Sequence, residues 1–233
     1  MSIILSGVVG STAYGLAHAG SDVDRIGIFA THTHRLLSLH PPADYYGGKE
    51  AEGDVAMYEA LKYVRLALKC NPTAMELLWL PDELYEVQTI PGDQLIAGRH
   101  HFLGAHQVRT SYLGYATQQF NKLAKRGDGS FSSDTRNRTE KHARHMLRLL
   151  LQGTELYSTG ELTVRLEPHV AEMLPETARL IVDDPTIAES YLKAAEDLFQ
   201  APTALPERPN EEFVEQWLQR VRRAFYYTTG ALV

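Results

Sequence analysis

Gly10-Ser11-Thr12-Ala13-Tyr14-Gly15 is followed, with ten residues between the serine and the first aspartate, by Asp22-Val23-Asp24-Arg25-Ile26-Gly27-Ile28-Phe29. The apolar residues 2–8 before the first segment read as a short buried strand that ends at Gly10-Ser11. Residues 12–18 open a short helix, and Gly20-Ser21 makes a turn. From Asp22 to Phe29 the pattern has period two. Val23, Arg25, Gly27 and Phe29 take one face, and Ile26 and Ile28 share the other with Asp22 and Asp24. The spacing predicts a strand with both carboxylates on one face.

Each part of this pattern suits phosphate chemistry. A glycine lets backbone approach a ligand, a serine hydroxyl donates to phosphate, and amides at the start of a helix favour anions. Asp22 and Asp24 are close enough to share a divalent cation. Asp54 opens the next predicted strand, 54–56, which as a neighbour would bring a third carboxylate beside the pair. Glu52 is two residues earlier on the same strand face and is the alternative third ligand. Three carboxylates on one face repel and raise one another's pKa. Two Mg²⁺ (or Mn²⁺) ions relieve that repulsion. They also activate an attacking hydroxyl and neutralise a triphosphate and its leaving pyrophosphate. Taken alone, a Gly-Ser turn is usually only a turn and Asp-x-Asp is usually a solvated strand end. Together, each after a strand and at this spacing, they say much more.

Outward from this core, residues 32–53 read as a long loop rich in His, Pro and Gly, of a length that suits function more than connection. Met57 begins a helical pattern with Ala60, Leu61, Val64 and Leu68 on one stripe. Asn71-Pro72 closes it, Asn71 or Thr73 caps the next helix, and Pro81 stops that one. Residues 85–90 are a further short strand. Beyond Pro91-Gly92 the chain turns helical. One amphipathic helix carries Val108, Tyr112, Tyr115, Phe120 and Leu123. Residues 125–134 follow as a flexible loop, and Asp134 or Thr135 caps a helix ending at Gly153. Helices are predicted over 168–180, 185–199 and 210–228, with a proline-rich linker at 201–209. The expected fold is α+β. A small mixed β-sheet core with flanking helices occupies 1–95, and a helical C-terminal region occupies 96–233.

Lys141, His145 and Arg148 recur at helical spacing opposite Met146, Leu147, Leu150 and Leu151. They form either a solvated basic face or a contact for the triphosphate or base. Lys62, Arg65 and Lys69 make a second basic stripe, expected to face solvent. Tyr14, beside Gly15, is a candidate for the base side of a nucleotide; Tyr112 and Tyr115 read as core or half-buried residues. Cys70, the single cysteine, excludes an intrachain disulfide, reads as a helix-end core residue and suits a reducing cytoplasm. The net charge of −6 confines any nucleic-acid footprint to a local patch. No signal peptide and no run of about 18 apolar residues is seen, so no membrane partner is expected.

Gly10-Ser11, ten residues and Asp22-Val23-Asp24 resemble the signature of the DNA polymerase β superfamily of nucleotidyltransferases. More narrowly, the chain is similar to the RNA-repair-pathway (RlaP-type) family. The similarity spans Gly10 to Gly15, Ser21 to Asp24, Asp54, the stretch Ala60 to Lys69, Asn71-Pro72, Glu76-Leu77-Leu78-Trp79 and the block Lys141 to Leu150. It implies metal binding by Asp22, Asp24 and Asp54 and phosphate binding by Gly10 and Ser11. Arg25 departs from it: many superfamily members are apolar there. The expected reaction transfers a nucleoside monophosphate from a nucleoside triphosphate such as ATP to an acceptor hydroxyl, on an RNA or other nucleic-acid end. A protein acceptor, and a nucleotide-binding module without turnover, are the competing readings.

Overall fold

The computed structural model describes residues 2–50, 53–124 and 133–226. Glu52 and most of the loop expected over 125–134 lie outside the described residues. So do the side chains of Asp134 and Thr135, expected to cap a helix. In chain order the elements are β1 (Ser2–Val9), α1 (Gly10–Tyr14), β2 (Asp24–Ala30), α2 (Thr33–Leu36), β3 (Tyr45–Lys49) and β4 (Asp54–Glu59). Then come α3 (Ala60–Ala67), α4 (Pro72–Leu78), β5 (Tyr85–Gln88) and α5 (Ile90–Ala97). The remainder is α6 (Ala105–Ala124), α7 (Ser133–Thr159), α8 (Pro168–Asp183), α9 (Thr186–Leu198) and α10 (Glu211–Ala224). This is an α+β fold, as its sequence pattern predicts. No helix among the described residues is long and apolar enough to cross a membrane.

The chain forms two compact units. One joins Met1–Leu103 to Pro209–Val233, and the other is Gly104–Arg208. The first contains a five-stranded sheet in the order β3-β4-β2-β1-β5. β2 and β4 run parallel, and the other neighbours are antiparallel. β1 and β2 are interior strands, which is why Ile4, Leu5, Ile26, Ile28 and Phe29 are all buried, with no polar face between them.

α3 and α4 follow from local chemistry. Glu59 caps α3, its carboxylate accepting from the Leu61 N–H at 2.9 Å. Asn71 caps α4, accepting from the Ala74 N–H at 3.2 Å, with Pro72 at the first helical position. The helix expected from Met57 therefore begins only at Ala60, because residues 57–59 are still paired with β2 and β3.

The expected loop over 32–53 contains α2 and the edge strand β3. β3 pairs with β4 from Tyr45↔Tyr58 to Lys49↔Asp54. Its two glycines disguise it in the sequence. At Gly47 a side chain would overlap the Tyr45 hydroxyl, so glycine here makes room for a ring instead of marking a turn.

α10 belongs to the sheet-containing unit, unlike the division of the sequence at residue 95. Its Trp217 is fully buried and donates from Nε1 to the Pro91 carbonyl at 2.9 Å. Phe213 stacks on His101 with centroids 4.2 Å apart. Arg222 holds Glu59 through two bonds of 2.5 and 2.8 Å. Beyond the helix the Phe225 carbonyl accepts from the Thr33 N–H at 2.9 Å.

In the second unit, α6 and α7 pack along each other. A side chain at Gly153 would sit 2.5 Å from Tyr112 Cβ, so that glycine is the point of closest approach. α7 runs through it to Thr159 and does not end there as expected, since close packing, not a cap, is what the glycine serves. Gly160 is the residue with positive φ, at 78°, that stands just past the helix. Tyr112 is buried and Tyr115 half-buried.

Candidate active site

The nucleus of the site is a row that crosses neighbouring strands. Asp24, the first residue of β2, pairs with Val9, the last of β1. Gly10 follows at once with φ +70°, and a Cβ there would lie 2.5 Å from Asp24 Oδ2. Only glycine allows the turn and the carboxylate to sit this close. On the other side, Asp24 Oδ1 accepts from the Asp54 backbone N–H at 3.1 Å. β2 and β4 are in register from Arg25↔Val55 onward, so Asp24 and Asp54 begin their strands side by side. Lys49 stands opposite Asp54 on β3. The order across the sheet is Gly10, Asp24, Asp54, Lys49.

Asp22 is outside this ladder. It is exposed and lies two residues before β2, which begins at Asp24, one turn of the pleat later than expected. Its segment is nonetheless fastened to the start of β4. A side chain at Gly53 would overlap the Val23 carbonyl and would approach Val23 N to 2.8 Å. Backbone therefore packs on backbone between the Asp22-Val23-Asp24 segment and Gly53-Asp54. Sequence reasoning passed over Gly53; a glycine directly before a candidate ligand was the available signal.

Ser11 is half-buried in the first turn of α1, and its carbonyl accepts from the Leu16 N–H at 2.9 Å. Gly15, with φ +76°, closes that short helix. Tyr14 is oriented differently from a free base-stacking ring. Its hydroxyl donates to Glu76 Oε2 at 2.8 Å, and Glu76 is buried on α4. That bond ties the turn after β1 to α4 and gives a buried carboxylate a partner.

Asp24 and Asp54 present only oxygen donors, the chemistry that suits Mg²⁺ or Mn²⁺. Among the described residues no three His, Cys, Asp or Glu side chains converge as a ready-made metal cage. Mg²⁺ does not need one: it takes one or two carboxylates and completes its shell with waters and substrate phosphates. The two aspartates begin neighbouring strands, with Gly10 turned in against Asp24, and their donor type fits such an ion.

Lys141, His145 and Arg148 all lie on α7 in the second unit. Lys141 is exposed, whereas Arg148 is only 4% exposed. Arg148 donates to Gln152 Oε1 at 2.6 Å and meets His145 Nδ1 at 3.4 Å, while Gln152 donates to the Thr163 carbonyl at 3.2 Å. Burial, with Arg148, His142, Lys122 and Lys141 nearby, pushes the His145 pKa down to about 3. At neutral pH the triplet is thus two cations and a neutral imidazole, one cation bound inside its own unit. It is not a uniform solvated basic face. Of the second stripe, Lys62 pairs with Asp44 at 2.8 Å, and Arg65 and Lys69 are exposed as expected.

The family described as the RNA repair pathway DNA polymerase beta family, RlaP, matches residues 1–198. Among solved structures, a nucleotidyltransferase-like protein from Exiguobacterium sibiricum is similar at 11% identity over 96% of this chain and 74% of that one, with a TM-score of 0.33. No curated protein matches.

Proposed function

The chain belongs to the RlaP family, the RNA repair pathway branch of the DNA polymerase beta nucleotidyltransferases, and from that premise we propose that it is a metal-dependent nucleotidyltransferase. It transfers a nucleoside monophosphate from a triphosphate such as ATP to an acceptor hydroxyl on an RNA end, and releases pyrophosphate. The observation that carries this reading is the bond from the Asp54 N–H to Asp24 Oδ1, with Gly10 turned against the other oxygen.

Asp22, Asp24 and Asp54 would hold Mg²⁺ or Mn²⁺, which supplies charge neutralisation for the triphosphate and a lowered pKa for the acceptor hydroxyl. The rest falls to the protein's own groups. The Gly10-Ser11 turn binds the β- and γ-phosphates through its amides and the Ser11 hydroxyl. Asp24 is held by the Asp54 amide, so its free oxygen keeps one direction and needs no reorganisation during reaction. Asp54, exposed on the acceptor side of the row, orients the incoming hydroxyl toward the α-phosphorus. The acceptor hydroxyl loses its proton to water, its oxygen bonds to that phosphorus, and the bond to the bridging oxygen breaks to release pyrophosphate. Most of the acceleration then comes from positioning and fixed charge.

The test is pyrophosphate release with Mg²⁺, each labelled triphosphate, and RNA, DNA or protein as acceptor. Label on RNA is the expected outcome. Asp24→Ala should abolish turnover and leave the unfolding midpoint near that of the wild type. Full activity in that variant would overturn the assignment.

A further inference from the structure

Lys49 has no part in the sequence pattern that marks the site, because its strand reads as loop. In the structure it is the fourth member of the row. It stands across β3–β4 from Asp54, and β3 is the edge of the sheet. Period two along β3 places Tyr45 and Gly47 on the same face as Lys49, and the Tyr45 ring meets Tyr58 of β4 at 5.1 Å on that face. The absent side chain at Gly47 lets the Tyr45 hydroxyl lie along the strand toward Lys49. Tyr45 is 40% exposed, and Lys49 is exposed.

We propose that Lys49 is a substrate-positioning residue for a single-stranded nucleic-acid acceptor and binds a backbone phosphate of that strand. The inference rests on the nucleotidyltransferase reading above and goes beyond it by assigning the acceptor's side of the site. Neighbouring strands are about 4.8 Å apart, so Lys49 lies roughly 10 Å from the β2 carboxylate and roughly 14 Å from the Gly10 turn. A turn that holds the leaving phosphates at one end of the row puts the in-line attacking hydroxyl at the other end. Lys49 is behind that hydroxyl, where a nucleic-acid strand brings a phosphate and a protein hydroxyl brings none. Its charge complements a polyanion at the one place where a chain of net charge −6 has most need of a local cation. Lys62 on α3 does not do this, being tied to Asp44 at 2.8 Å.

The decisive measurement is binding of a short fluorescent RNA oligonucleotide to the full-length protein across a salt series, with no triphosphate present. Lys49→Gln should weaken binding severalfold and reduce the slope of log affinity against log salt by about 0.7, the loss of one phosphate contact to a single strand. Lys49→Arg should restore both. In turnover, the KM for RNA should rise in Lys49→Gln, with the KM for the triphosphate unchanged. Unaltered RNA affinity and slope would overturn the proposal, as would a change confined to the triphosphate KM. Transfer to a protein acceptor that falls in Lys49→Gln as much as transfer to RNA would also overturn it. A wild-type protein with no nucleotide transfer would sink the catalytic reading instead, and the binding comparison, needing no turnover, separates the two failures.

Discussion

At the residue scale, the site depends on how few atoms separate Gly10 from Asp24. Gly10→Ala adds a methyl 2.5 Å from a carboxylate oxygen at a backbone with φ +70°. The left-handed conformation alone costs an alanine about 1–2 kcal/mol, and the carboxylate must also move. Pyrophosphate release should fall by more than about tenfold, as expected where an ångström of displacement at a reacting centre matters. The unfolding midpoint, read by circular dichroism, should drop only modestly. His145 provides a second residue-scale test. Its pKa is about 3 in the folded unit, against about 6.5 when unfolded. The folded form therefore resists a proton that the unfolded form accepts. The associated stability is complete above pH 6.5 and is lost as pH falls toward 3, by up to about 1.4 kcal/mol per pH unit. Thermal unfolding at pH 7, 6, 5 and 4 should show a steeper acid loss in wild type than in His145→Gln.

The elements meet at Glu59. This residue ends the strand that Asp54 begins, caps α3 and receives both arms of Arg222 from α10. Its carboxylate is 3% exposed while the Arg222 side chain is 18% exposed, so the buried end of the pair is Glu59. Removing one partner of such a pair typically costs about 3–5 kcal/mol, because a charge remains buried alone. Arg222→Met should lower the urea midpoint accordingly, and the double variant Glu59→Gln, Arg222→Met should recover part of the loss. Equal losses in the single and double variants would mean that the ion pair does not couple α10 to the sheet. The family match stops at residue 198, yet α10 supplies a fully buried tryptophan to the sheet-containing unit.

At the scale of the whole molecule, one unit is continuous in sequence and the other is not. The continuous helical unit should fold when excised as 104–208, with a helical dichroism spectrum and a cooperative melt. The fragment 1–103 should not fold alone, because it lacks Trp217, Val214 and Val221, all buried in the complete chain. Adding the segment 209–233 in trans, followed by intrinsic tryptophan fluorescence, should restore it. A cooperative melt of 1–103 by itself would show that α10 is dispensable.

Local chemistry alone marked out most of the elements and the Gly10–Asp24 pattern of the candidate site. Buried runs gave β1 and β2, Asn71-Pro72 announced α4, and Gly10 with Asp24 lies within one local pattern, whereas Asp22 falls before the strand that carries Asp24. What local pattern could not express was partnership. Gly47 and Gly153 look like breaks, and only the Tyr45 and Tyr112 side chains folded against them show that they are sites of close packing. β3 becomes a strand through β4, α10 joins the first unit through Glu59 and Pro91, and Lys49 reaches Asp54 only through strand register. Short-range periodicity and capping are written in neighbouring residues. Register, burial and charge pairing are free-energy differences between distant segments, and those exist only once the chain has closed on itself.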